Sequence, residues 1–463
     1  MKSNFIPFIR VHFFSIFFLL IHSGVCFSQD AKEYVPLEYT SDSIGLDEKK
    51  YKQSVSRPEL DALSKKAKDE VVDFFYWREK ELLYEIHKKH FIKDKKFNDY
   101  LQFILNEIVK ANSLPDKFKL RISRYPEPNA SCDGNWNITF YIGLLKKMEN
   151  EAQIAFILSH EIAHQLLSHV DNRIIETIKL KYSKDTKQDL KEIAKNEFGA
   201  AQKYIEYLKK MTYDSKRHNR DQEASADSLG MLLMLNTKYN AEAGIRDMAI
   251  LDSVDTDTFT ISYVTYFNSK EYPFKNSWIL PNKTLGFGGK DAFGSNEDSL
   301  KTHPDCKLRA EVIKKMLADK KYSPNGKSNF IQSRELLEGF VTASKFEEIQ
   351  YLYDFEHYAT VLYYGLNLLE EYPDDVMIHN SVAASLQKLL NSMKDHKLHE
   401  HASKPSPDYS EYLNQLLRLL DRISIDELKG VSSNFVNLFK EKFYYSNKNF
   451  KKLYDQNSLI TKY

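Results

Sequence analysis

Residues 154–167 read Ile-Ala-Phe-Ile-Leu-Ser-His-Glu-Ile-Ala-His-Gln-Leu-Leu. Apolar residues recur here every three or four positions, a spacing that predicts a mostly buried helix. His160 and His164 are four residues apart, so both rings project from one helix face and can hold one tetrahedral zinc ion. Glu161 lies about 100° around the helix from His160, where it can reach a water molecule on the metal without being a ligand.

The alternative interpretation is that these histidines are core residues. A buried histidine is more often hydrogen-bonded within a core than bound to a metal. The His-Glu-x-x-His spacing inside an apolar helix is rare by composition, since the chain has 14 histidines among 463 residues. The sequence therefore favours the zinc site.

A third ligand has to come from elsewhere in the chain. His169 lies nine residues after His160, on the opposite face of a continuous helix. Glu223 is a better candidate, because Asp227 follows it by four residues on the same face of a second amphipathic helix. That second carboxylate can accept a hydrogen bond from a ligand histidine and orient it. By itself, Glu223 would be read as an ordinary surface glutamate.

Composition limits the classes of partner. The chain has 66 basic and 65 acidic residues, so no net field draws it to nucleic acid. Charged residues make up 28%, and 29 Tyr and 29 Phe are typical of a folded, soluble protein. The length is sufficient for two or three domains.

The first 28 residues differ from the rest. Lys2 and Arg10 precede an apolar run over 11–21, and small and polar residues follow. This pattern predicts a signal peptide over 1–28, cleaved after Ser28, and hence an exported protein of the periplasm or cell envelope. An uncleaved anchor is the alternative, because the run is near the lower limit for a membrane span. No integral membrane segment is expected after it.

Four blocks of the sequence, in order, resemble the HtpX and CAAX-prenyl-protease family of zinc metallopeptidases, peptidase family M48. The blocks are Asn129-Ala130 with Phe140-Tyr141-Ile142-Gly143-Leu144-Leu145, His160-Glu161-Ile162-Ala163-His164 with His169, Arg220 to Gly230, and Thr302-His303-Pro304 with Arg309. Each block alone is unspecific, whereas the ordered set is specific. The closer likeness is to the soluble exported branch, whose members are associated with quality control of envelope proteins.

The resemblance implies a role for each matching residue. Glu161 is implied as the general base, and His303 as a further catalytic residue that holds substrate or stabilises the oxyanion. Asp227 and Arg220 are implied to support the metal ligands. The ligands of one Zn2+ ion are implied to be His160, His164 and Glu223.

We therefore expect a mainly α (α+β) fold. A zincin-like metallopeptidase domain is expected over 58–325, with a small β-sheet beside the His-Glu-x-x-His helix. Alternating patterns predict strands over 118–122 and 136–142, and the second strand is expected to pair with an extended substrate.

The flanking regions are also assigned. Residues 29–57 are expected to be a flexible lead-in, and the glycine-containing stretch 268–300 a long irregular loop. An α-helical region that resembles tetratricopeptide repeats is expected over 330–463, in part because Pro373 ends a second helix there.

The predicted function is hydrolysis of peptide bonds in proteins by an exported zinc metalloendopeptidase. Protein or peptide substrates are the expected partners, with a further partner protein through the C-terminal helical region. The alternative is a chaperone or adaptor that acts through this region, with a plugged or inactive metal site. Cys132 and Cys306 are equally consistent with a disulfide and with two buried thiols.

Overall fold

The computed structural model describes residues 33–41, 45–194, 219–254, 259–281, 305–324, 326–329, 334–407 and 409–460. The predicted signal peptide, His303 and the 282–300 part of the predicted loop lie outside these residues. Within the described ranges, no helix is both long and apolar enough to cross a membrane.

The predicted mainly α fold with a small sheet is confirmed. The strands are β1 (Tyr39–Thr40), β2 (Phe91–Ile92), β3 (Lys119–Ser123), β4 (Ala130–Cys132) and β5 (Asn137–Tyr141). The helices are α1 (Glu48–Ser54), α2 (Lys65–His87), α3 (Lys95–Ala111), α4 (Ile142–Leu145), α5 (Glu151–Leu166), α6 (His169–Tyr182), α7 (Lys184–Ala194), α8 (219–235), α9 (Ala243–Ser253), α10 (Tyr263–Phe267), α11 (Cys306–Asp319), α12 (Arg334–Asp354), α13 (Tyr358–Glu371), α14 (Val376–Lys394), α15 (Glu411–Arg422), α16 (Ile425–Leu438), α17 (Lys440–Phe443) and α18 (Lys448–Ile460).

The sheet has the strand order β1-β2-β3-β5-β4. β3 and β5 run parallel, with Leu120 opposite Ile138, and β4 lies antiparallel to β5, with Ser131 opposite Thr139. The expectation that the strand over 136–142 pairs with substrate was wrong, because β5 lies between two other strands. The edge belongs to β4, a strand of three residues that is too short for its alternation to be recognised.

The histidine helix α5 lies at the centre of the first core. Residues 151–165 are all buried, so the helix packs on every side, in part against α3, α9 and β4. Its start is fixed by a capping box, in which the Asn150 and Gln153 side chains each accept a hydrogen bond from the other residue's backbone N–H. A helix buried in this way cannot rotate without exposing apolar surface, so its two histidines are held in place.

A second core lies among the C-terminal helices and takes in part of the predicted loop. Trp278 of the predicted loop, and Ile261 just before it, are buried with the apolar faces of α12 to α18. Arg418 Nε donates to the Ile279 carbonyl at 2.8 Å, and Arg422 Nη1 donates to that of Leu280 at 2.6 Å. The described part of the predicted loop, 268–281, therefore packs against the helical region. The likeness of this region to tetratricopeptide repeats stays a prediction.

The predicted lead-in contains ordered elements. β1 pairs with β2 of the sheet, and α1 begins at an Asp47 cap whose side chain accepts from the Lys50 N–H. Both elements are short and weakly apolar, which explains why the sequence pattern did not reveal them. Residues 33–41 and 45–54 are thus part of the fold.

Gly143 allows the turn before β4 to lie against α4. A β-carbon at this position would lie 2.0 Å from the Pro126 carbonyl oxygen. The variant Gly143→Ala should lower the free energy of unfolding by about 1–3 kcal/mol, because the turn has to shift. Gly339→Ala is the matched control: no atom lies within 4 Å of its added carbon, so it should be neutral or stabilising. Denaturant unfolding of both variants measures the difference, and equal effects would contradict the proposed contact.

Candidate metal centre

Three potential ligands meet where α5 crosses α8. His160 Nε2 and His164 Nε2 are 3.0 Å apart, and the two carboxylate oxygens of Glu223 each lie 3.5 Å from one of them. One ligand atom from each residue falls within 4.8 Å of the others. The helices are close enough for this because Gly230 of α8 packs on the α5 backbone, where an added β-carbon would lie 3.0 Å from His160 Cα.

The donor set fits zinc. Two imidazole nitrogens and one carboxylate oxygen are a protein ligand set of catalytic zinc sites, which leave the fourth position for water. Nitrogen ligands at about 2.0–2.1 Å from a tetrahedral ion lie about 3.4 Å apart, close to the separation of the two rings. The side chains therefore need only small shifts to hold such an ion.

Asp227 and Arg309 hold the ligand side chains in position through hydrogen bonds and ion pairs. Asp227 Oδ1 lies 3.0 Å from His160 Nδ1, which directs the opposite nitrogen, Nε2, towards Glu223. Arg309 of α11 donates to both Asp227 oxygens, at 2.7 and 2.9 Å. It also approaches Glu223 at 3.3 Å, so one guanidinium joins both carboxylates.

These contacts control the charges of the centre. Burial alone lowers the pKa of His160, but the hydrogen bonds to Asp227 and Glu223 outweigh it and raise the pKa to about 10. For Glu223 and Asp227, burial raises the pKa, but the contacts with His160 and Arg309 dominate and hold both pKa values below the ordinary range. Both carboxylates are therefore ionised and ready to bind or orient a cation.

Glu161 lies in the same cleft, beside the edge strand. Burial raises the pKa of its carboxyl to about 7, although the charge of His160 and the backbone N–H of Cys132 oppose part of this shift. A carboxylate with such a pKa can both take up and release a proton near neutral pH.

His169 orients the second ligand histidine. Its Nδ1 lies 3.0 Å from His164 Nδ1, and its Nε2 lies 3.2 Å from Ser225 Oγ of α8. The sequence placed His169 on the far side of a continuous helix. In the structure, α5 ends at Leu166 and Ser168 adopts a left-handed conformation with φ 54°, which brings His169 back towards the site.

Arg220 and His303 were also predicted to belong to the site. Arg220 lies farther out: its Nε is 2.7 Å from Asp305 at the start of α11, and its side chain is half exposed. His303 lies outside the described residues. Arg309 had been noted only as part of the His-Pro block, without a role, because nothing in the sequence indicates that it lies beside Asp227.

Cys132 and Cys306 are both buried, and no disulfide joins them. Cys132 of β4 lies with its sulfur 3.5 Å from Gln165 Oε1, and Cys306 is the first residue of α11. Burial raises the pKa of the Cys132 thiol to about 12, so the thiol is protonated and unreactive. Of the two alternatives from the sequence, the structure has the buried thiols.

The centre opens into a cleft of about 380 Å3. β4 and the preceding Asn129 form one wall. The polar residues Arg173 and Asn219 also line the cleft. Its apolar lining residues include Leu144, Phe156, Ile157, Val170, Met248 and Leu251.

A comparison with protein-family models matches the part of the chain that contains this centre. The model described as Peptidase family M48 matches residues 95–317. This range contains α5, α8 and the part of α11 that carries Arg309. A search of curated proteins found no match.

Asp227→Asn should lower zinc affinity about 10–100-fold, because the amide can no longer accept hydrogen bonds on both atoms from His160 and Arg309. Asp221→Asn is the control, since Asp221 is exposed on the same helix. Competition with a chelator measures both affinities. Glu223→Ala, which removes a ligand atom, should lose the metal outright. Unchanged zinc affinity in Asp227→Asn would contradict its orienting role.

Proposed function

Residues 95–317 belong to peptidase family M48, and we propose from this premise that the chain is a zinc-dependent metalloendopeptidase that hydrolyses proteins. The observation that carries the proposal is the convergence of His160, His164 and Glu223 within 4.8 Å of one another. Glu161 beside them supplies the proton-transfer group that hydrolysis requires.

When bound, the zinc ion would supply a Lewis acid that polarises the scissile carbonyl and lowers the pKa of water. His160, His164 and Glu223 would hold it, with Asp227 and His169 fixing the two rings. The Glu161 carboxylate takes the proton of the attacking water and later passes it to the leaving amine. Its raised pKa, about 7, suits both transfers.

β4 is the strand on which a substrate can add. Asp133 N–H donates to the Asn137 carbonyl, and Tyr141 N–H donates to that of Asn129, so the odd-numbered residues of this strand face β5. The carbonyls of Ala130 and Cys132 therefore point to the open edge. An extended peptide that pairs there passes directly beside Glu161.

The two ends of the cleft favour different side chains. Leu144 of α4 lies towards the Ala130 end of β4, because Ala130 lies opposite Phe140, two residues before α4. Arg173 belongs to α6, whose Val170 and Asp171 lie beside Gly134, two residues after Cys132. A substrate antiparallel to β4 therefore places a large apolar residue after the scissile bond and polar or acidic residues before it.

The location and biological role extend the same proposal. A basic start, an apolar run and a polar end within residues 1–28 support export and cleavage after Ser28. An exported endopeptidase whose cleft accepts an extended chain is suited to the removal of misfolded envelope proteins. Sequencing the amino terminus of the secreted protein tests the cleavage, and a terminus at Met1 would refute it.

Glu161→Gln should retain zinc and lose at least about a thousandfold in casein hydrolysis, because an amide cannot take the proton from water. Glu242→Gln, on an exposed helix cap, is the matched control and should cleave like the parent. Cleavage-site mapping of the products tests the preference for an apolar residue after the bond.

Two outcomes would decide against the proposal. Parental cleavage by the zinc-loaded Glu161→Gln variant would exclude the mechanism. A zinc-loaded parent chain that cleaves no protein would instead support the chaperone or adaptor alternative.

A further inference from the structure

The amino-terminal segment, defined as residues 33–40, joins the two cores. Its last two residues, Tyr39 and Thr40, form β1 on the sheet of the peptidase domain. The preceding residues contact α12 through Glu347 and the start of α14 through Asp375. The contacts of this segment resemble those of a bound peptide more than those of a packed element.

The clearest contact is with a buried carboxylate. Glu347 of α12 has no exposed surface. Its carboxylate accepts hydrogen bonds from Tyr34 Oη at 2.9 Å, from the Leu37 backbone N–H at 2.7 Å and from Tyr39 Oη at 2.8 Å. All three donors belong to the amino-terminal segment. The Arg124 Nε lies 3.9 Å from the same carboxylate.

Further contacts fix the register of the segment. The ring of Tyr34 stacks on Phe346, with centroids 4.6 Å apart and planes 17° apart. The Tyr34 backbone N–H donates to Asp375 at the start of α14 at 3.0 Å, and Asn447 donates to Glu33 at 3.0 Å. The anchors Tyr34, Leu37 and Tyr39 are separated by exposed residues, of which Val35 is 75% exposed. One aromatic anchor and several backbone contacts are typical of peptide recognition.

The same surface continues as an open groove of about 820 Å3. The amino-terminal segment forms one wall of this groove. Its other walls come from the end of α12 and from α14 and α18, and many of the lining groups are side-chain amides or lysines. These are Gln350, Asn380, Gln387, Lys388, Asn391, Asn449, Lys452 and Gln456. Amides can pair with the backbone of an extended chain of any sequence.

We propose that the face of the helical region around Phe346, Glu347 and Asp375 is a binding site for an extended polypeptide, and that the amino-terminal segment occupies it as an intramolecular ligand. The ligand class follows from the anchors: a tyrosine, an apolar residue three positions on and a second tyrosine two further on, as in Tyr34, Leu37 and Tyr39. A longer polypeptide bound in this way runs on into the open groove.

The buried carboxylate makes the site unstable when empty. Without the segment, Glu347 would lose all three of these donors, and water or another chain would have to replace them. The segment packs along the margin of both cores, and none of its residues is fully buried, so its release exposes less apolar surface than the opening of a core would. The site is consequently filled either by its own segment or by another extended chain that brings equivalent donors.

The test uses the full chain and a fluorescent peptide of residues 33–40, capped at both ends. Tyr34→Ala combined with Tyr39→Ala removes the ring stack and two donors from the segment in cis. This double variant should bind the peptide at least tenfold more tightly than the parent does, because the intramolecular competitor is weakened. Val35→Ala, in the outward position, should behave like the parent. Fluorescence anisotropy measures each affinity.

Glu347 is then tested in the double variant. Adding Glu347→Gln should weaken peptide binding at least tenfold, whereas Glu338→Gln, exposed on the same helix, should leave it unchanged. A folded double variant that binds no more tightly than the parent overturns the proposal, and so does binding that is indifferent to Glu347→Gln. None of these readouts depends on peptidase activity, so the proposed function can fail without affecting this one.

Hydrogen exchange of the parent chain gives a second measurement if the double variant does not fold. Backbone amides of residues 33–40 should exchange at least tenfold faster than those of α14, because the segment leaves without unfolding the helices. Exchange of both at the same rate, through global unfolding alone, would show that the segment is a fixed part of the core and would overturn the proposal.

Discussion

One buried guanidinium holds the metal centre together. Arg309 binds both oxygens of Asp227 and approaches Glu223, and Asp227 in turn orients His160. Two carboxylates this close in a largely buried site would repel one another, so they need a fixed positive charge when the site forms. Because Arg309 is on α11, Asp227 on α8 and His160 on α5, this charge balance also fixes how three helices assemble.

The sequence predicts those parts of the site that lie within one helix. The period of α5 and the spacings of His160 with His164, and of Glu223 with Asp227, are local properties that can be counted along the chain. Arg309 is 82 residues from its partner Asp227, and no pattern relates the two. His169 was misplaced for a different reason: one left-handed residue, Ser168, ends the helix and redirects the chain.

The prediction of the fold had the same limit: long repeating patterns were recognised, and short elements were not. Long amphipathic helices such as α3 were recognisable from their period, whereas β1, β2 and β4 have two or three residues each and give no alternation to read. The edge of the sheet was therefore assigned to β5. The segment 259–281 lies inside the range matched by the family model, yet its apolar residues pack in the helical core. Residues 33–40 likewise contact both cores. Each core therefore includes a segment that is distant in sequence from the rest of that core.

The crossing at Gly230 bears on which ion the centre accepts. Because Gly230 has no side chain, the backbones of α5 and α8 are in direct contact beside His160. The distance between the ligand residues of the two helices is therefore set by backbone packing. Rotamer changes of the ligand side chains can increase the distance between the ligand atoms only a little. Ions that need longer bonds and more oxygen donors, as calcium does, are then disfavoured by size alone, so discrimination between metals is built into the helix packing itself.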